Sequence, residues 1–163
     1  SLAEDAVRTA RRPSFSPDAR AVVFERQSAG LPPALWLFDL ATRSARVLAR
    51  TDDGETDPAW SANGREVYYV SGRGDRRALH AVQVATGLTR SVLPLATSEH
   101  DVLRPRLSPD GARLAYTRSQ EGQLEVWVRT MRDGTTARVA RLGDGVAFPI
   151  WSPDGQALAV DVW

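Results

Sequence analysis

One phrase recurs four times in 163 residues. It reads RPSFSPDARAVVFE from Arg12, DPAWSANGREVYYV from Asp57, RPRLSPDGARLAYT from Arg104 and FPIWSPDGQALAVD from Phe148. Aligned on Pro13, Pro58, Pro105 and Pro149, the copies lie 45, 47 and 44 residues apart. A period in the forties leaves two architectures open, stacked helical pairs or four-stranded blades. The residues between the copies decide.

In the third period, SPDG reads as a type I turn, with Ser first, Pro second and Gly fourth. ARLAYT follows, and its Leu114 and Tyr116 alternate with smaller or polar neighbours. That is period two, not 3.6. SQEGQ is a loop, and LEVWVRT is a strand with Leu124, Val126 and Val128 on one face and Trp127 on the other. RDGT is a hairpin signal, and ARVARL is the last strand. The first period repeats this with AVVFER, LWLFDL and ARVLAR, the second with EVYYVS, ALHAVQV and LTRSVLP. Each unit is therefore a four-stranded antiparallel meander. The turn chemistry weakens at Ala19, which stands where Gly111 and Gly155 stand. That turn is expected to be strained or of another type, whereas Asn63-Gly64 still suits positive φ. No stretch sustains helical periodicity, so the chain is all-β apart from a turn within residues 1–10.

The phrase resembles the repeat of TolB-type β-propellers, a WD-repeat-like bacterial family. PRLSPDGARLAY at 105–116 and PIWSPDGQALAV at 149–160 are close matches, and PSFSPDARAVVF and PAWSANGREVYY are looser ones. The resemblance implies a β-propeller with blade units at 11–50, 56–95, 103–142 and a partial unit at 147–163. That is about three and a half blades in a single propeller segment spanning 1–163, an incomplete ring. Phe15, Trp60, Leu107 and Trp151 share one column and are expected to pack between blades; Trp36 and Trp127 are matched likewise. An open arc would bare two blade faces. If each exposes roughly 500 Å² of apolar surface, the cost is on the order of 12 kcal/mol per face. The arc is therefore expected either to be part of a longer propeller or to be closed by a second copy.

Composition narrows the partners. The net charge is +1, and Arg alternates with acidic residues along the chain. No basic stripe of the kind that binds nucleic acid is present. The absence of cysteine removes disulfides and thiolate metal sites. No apolar run approaches the roughly 20 residues of a membrane helix, so no membrane insertion is expected. SLAEDAVRTARRP lacks the apolar core of a signal peptide.

Chemistry-bearing residues are sparse. His80 lies in a strand-like run and reads as a tolerated sheet histidine. His100 stands between Glu99 and Asp101, where neighbours in an extended segment point to opposite faces. No nucleophile elbow, phosphate loop or zinc-protease motif occurs. No cofactor and no catalysis within this chain are expected. Asp52, Asp53, Glu55 and Asp57 form an acidic loop and a weak candidate for Ca²⁺, though the spacing is not that of a calcium loop. Arg73-Gly74-Asp75 is an adhesion-like triplet best read as a loop.

The resemblance implies that the segment before each Pro-x-Trp lies near the central channel. The partner-facing residues would then be Arg11, Arg12, Asp57, His100, Asp101, Arg104 and Asp144. Their mixed signs suit a protein or peptide partner. Two functions follow from the resemblance. One is a non-catalytic interaction or sensory propeller in the periplasm, with the cytoplasm as the other compartment. The other is the substrate-gating propeller of a prolyl-oligopeptidase-like serine peptidase whose catalytic domain lies outside this chain.

Overall fold

The turns and alternating strands fold into successive antiparallel meanders. The computed structural model describes residues 10–73, 76–93, 101–120, 122–143 and 147–162. The first blade contains β1 (Ala10–Phe15), β2 (Ala21–Arg26), β3 (Ala34–Asp39) and β4 (Ser44–Ala49). The second contains β5 (Glu55–Trp60), β6 (Glu66–Arg73), β7 (Arg76–Gln83) and β8 (Thr89–Leu93). The third contains β9 (Asp101–Leu107), β10 (Arg113–Gln120), β11 (Gln123–Thr130) and β12 (Thr136–Leu142). A two-stranded unit, β13 (Ala147–Trp151) and β14 (Leu158–Val162), follows. Every sheet pairs its strands in chain order, and all pairs are antiparallel. No helix occurs among the described residues.

The repeated phrase makes one turn four times. Gly111 N donates to Ser108 O at 2.8 Å, and Arg113 N donates to Ser108 Oγ at 2.9 Å. The Ser108 hydroxyl donates to Asp110 at 2.5 Å. Ser16–Asp18, Ser61–Asn63 and Ser152–Asp154 repeat this bond. Ala19 adopts φ 56° where Gly111 adopts 71°, so the turn keeps its type. The Cβ costs about 1 kcal/mol in that conformation.

Blades stack because their sheets are apolar on both faces. On β6, Val67 and Tyr69 pack toward the first blade against Val23, Leu35 and Leu37. The alternate residues Tyr68 and Val70 pack with Leu114 and Tyr116 of the third blade. The first strands of successive units lie against one another, β1 on β5, β5 on β9 and β9 on β13. These are the inner strands, and β4, β8 and β12 form the outer rim.

The aromatic column also links blades through hydrogen bonds. Trp60 Nε1 donates to Ser14 O and Trp151 Nε1 donates to Arg106 O, each at 2.9 Å. Each acceptor is the residue after the repeat proline of the preceding blade. Leu107 packs in the second core layer. Phe15 corrects the expectation for its column. It is 65% exposed, because no described blade lies against the outer face of the first.

One buried carboxylate ties the rim of the third blade. Glu125, 1% exposed, accepts from Trp127 Nε1 at 2.9 Å, Arg138 at 2.7 Å and Arg141 at 3.1 Å. Burial pushes its carboxyl up, but these donors outweigh it and hold the pKa at about 2. The unfolded value is about 4.3. The stabilisation is therefore fully present above that value and is lost as pH falls through about 2.

Trp60→Phe is expected to lower unfolding free energy by about 1 kcal/mol through loss of the indole bond, read by urea titration. Glu125→Gln should be less stable than the parent at neutral pH. The gap between the two midpoints should shrink as pH falls from about 4.5 toward 2.

Candidate functional site

The residue before each repeat proline occupies a special place on the inner strands. Arg12, Asp57 and Arg104 have φ of 47°, 55° and 56°. The left-handed region costs a non-glycine residue roughly 1–2 kcal/mol. The strand ladder breaks at each of these points, between Arg11 and Ser14, between Thr56 and Ala59, and opposite Ala115 and Thr117. In these three copies the bulge coincides with the residue held at positive φ, a conformation that interrupts regular strand pairing.

The bulges bring three blades' side chains together. Arg12 Nη1 contacts both oxygens of Glu25, at 3.0 and 2.9 Å. Its Nε lies 3.4 Å from Asp57 Oδ1. Arg104 Nη1 reaches the same oxygen at 3.1 Å. The Asp57 amide donates to Glu25 Oε1 at 2.7 Å. Glu25 and Asp57 are both buried, whereas Arg12 is about half exposed, its side chain at 46%. Burial pulls the Arg12 guanidinium down. The Glu25 bond and the charges of Asp57 and Glu25 outweigh it and hold the group above its ordinary value.

The fourth copy differs. Phe148 occupies the same column, but β13 and β14 pair without a break in register. Its ring lies under the Arg104 guanidinium, 4.4 Å from centroid to Cζ. Arg12, Asp57, Arg104 and Phe148 thus run as a chain of contacts across four blades. With Arg106 and Trp60 they line a pocket of about 490 Å³ at the inner strands. That volume lies within the ordinary range for ligand sites.

The sequence-based set divides accordingly. Arg12, Asp57 and Arg104 come together. Arg11 is exposed on β1 opposite Glu25 and is not among the pocket walls. His100, Asp144 and the Asp101 side chain lie outside the described residues, as do Gly74 and Asp75 of the triplet. Glu25, Arg106 and Phe148 were not expected. Phe148 is readable by extending the pre-proline column to the fourth repeat, and Arg106 by taking the residue after proline. No sequence signal marks Glu25, because the bulge sets its partners.

The four acidic residues of the candidate Ca²⁺ loop have different surroundings. Asp52 and Asp53 are exposed. Glu55 is fully buried and accepts from Thr51 Oγ1 at 2.5 Å and Ser71 Oγ at 3.4 Å. Burial raises its pKa, and these bonds oppose that only in part. Asp57 serves the arginines. Among the described residues no three carboxylates or histidines converge. His80 stacks on Tyr69 with centroids 5.7 Å apart, and burial lowers its pKa.

No family model matches the chain. A TolB homologue from Chlorobium luteolum is 31% identical over 126 residues, covering 76% of this chain and 27% of that protein. The uncharacterized peptidase YuxL of Bacillus subtilis is 27% identical over 111 residues, covering 66% of this chain and 17% of that protein. The crystal structure of TolB from Acinetobacter baumannii superposes with a TM-score of 0.77 at 20% identity, over 93% of this chain and 37% of that one. The chain spans about a quarter or less of the length of these two sequence relatives.

Substitutions at Asp57 separate charge from backbone strain. Asp57→Asn tolerates positive φ and should cost about 2 kcal/mol through loss of the ion pairs. Asp57→Val should cost a further 1–2 kcal/mol or so, because a β-branched side chain resists that conformation. Urea unfolding of both variants reads the difference.

Proposed function

The chain belongs to the TolB-like β-propeller repeat family, and from that membership we propose that it is a non-catalytic module for binding a protein or peptide partner. The partner docks where the inner strands present Arg12, Asp57, Arg104 and Phe148. The observation that carries this reading is the placement of three strained pre-proline residues around one pocket. Strain of this kind concentrates at binding and catalytic sites. The pocket walls offer guanidinium, carboxylate, proline and aromatic groups. These groups bind and orient a polypeptide. The resemblance to TolB favours the periplasm as the compartment.

A second reading is favoured by the similarity to the peptidase YuxL. In that case the same pocket filters peptides for a catalytic domain outside this chain. Both readings place a polypeptide at the same end.

Site-specific photo-crosslinking tests the proposal. A crosslinker at Phe148 should yield one defined protein adduct in the host's envelope fraction. The same crosslinker at Thr42, in the separate groove between the first two blades, should not. Arg104→Ala should reduce the adduct at least tenfold. Equal adducts from both positions would overturn the assignment of the docking end. A parent sequence continuing into a Gly-x-Ser-x-Gly motif would select the peptidase reading.

A further inference from the structure

Among the described residues, the pocket at the inner strands holds more cationic donors than the neighbouring carboxylates satisfy. Arg12, Arg104 and Arg106 line it, each with about five N–H donors. Glu25 and Asp57 are the carboxylates that meet them. Arg104 Nε is buried and has no hydrogen-bond partner. Arg106 Nη1 donates to Pro105 O at 2.9 Å, a neutral acceptor in its own strand. Burial lowers the Arg106 pKa; Asp57 opposes this, while the charges of Arg104 and Arg12 add to it. Arginine does not shed its proton in proteins. Arg106 therefore keeps a charge with no carboxylate bonded to it among the described residues.

The charge count selects the class of ligand. Among the described residues, three guanidiniums and two carboxylates leave one positive charge. A single carboxylate neutralises it, whereas a phosphate dianion would overshoot. Bidentate guanidinium–carboxylate pairing is the strong geometry for such a site. Phe148 and Trp60 supply apolar walls for the carbon chain that carries the carboxylate.

We infer that Arg106, with Arg104 and Arg12, forms a subsite for a single carboxylate presented by a polypeptide partner. This rests on the proposed function for its polypeptide source, but not for the subsite itself.

The test is a titration of the ¹⁵N-labelled chain, following the arginine Nε–H resonances. The probes are the capped tripeptide Gly-Asp-Gly, its Gly-Asn-Gly counterpart, N-acetylglycine and inorganic phosphate. The aspartyl tripeptide or N-acetylglycine should shift the Arg104 and Arg106 signals saturably. The tighter of the two tells whether the partner presents a side chain or a chain end. The asparaginyl peptide should leave them unmoved. Arg106→Gln should weaken carboxylate binding about tenfold, as expected for loss of a charge-assisted bond. Arg106→Lys should weaken it less, and a native circular dichroism spectrum verifies that each variant folds. Shifts that fail to saturate, that survive Arg106→Gln unchanged, or that are stronger with phosphate would overturn the inference. Carboxylate binding without a crosslinked partner would defeat the proposed function and leave the subsite standing. A partner captured at Phe148 but indifferent to Arg106→Gln would do the reverse.

Discussion

Every blade is a sheet with apolar residues on both faces, and the fold depends on that constraint. Strand alternation sends Val67 and Tyr69 one way and Tyr68 and Val70 the other. A single four-stranded sheet cannot bury both sets. The blades bury them only by stacking, and stacking brings the inner strands together. The indole bonds from Trp60 and Trp151 then fix how far the second blade slides on the first and the fourth unit on the third.

The inner strands meet at their least regular points. Arg12, Asp57 and Arg104 sit in a conformation that L-residues avoid, each directly before a proline. The bulges turn these side chains toward a common centre. There Asp57 Oδ1 receives two guanidiniums from two different blades. Local strain and long-range ion pairing support each other, since the pairs form only if the bulges form. Buried carboxylates without such donors would carry a large desolvation cost.

The fold was legible because turn chemistry and strand period are local. Ser108, Asp110 and Gly111 specify their turn within a few residues, and Leu114 and Tyr116 specify their face. The site was legible only in part. The pre-proline column pointed to Arg12, Asp57 and Arg104, because the repeat puts them at equivalent places. Glu25 was hidden, since the ladder sets its backbone opposite Arg11 while the adjoining bulge brings Arg12 and the Asp57 amide to its carboxylate. Arg106 was hidden by its closeness to Arg104, and Phe148 by its lack of charge. The acidic run at 51–57 misled for the opposite reason. Closeness in sequence placed its carboxylates together, but the bulge at Asp57 turns that side chain to the arginines while Glu55 bonds Thr51 and Ser71.

The unbroken register of β13 and β14 gives this arrangement a sense of direction. Three successive inner strands bulge and contribute charge, and the fourth runs straight and contributes a ring. Near-identical repeats would make a socket with rotational ambiguity, in which a guest could seat in several equivalent ways. The departure at Phe148 removes that ambiguity. The described part of the socket has a charged flank and an aromatic flank, which would give the proposed polypeptide guest a preferred orientation.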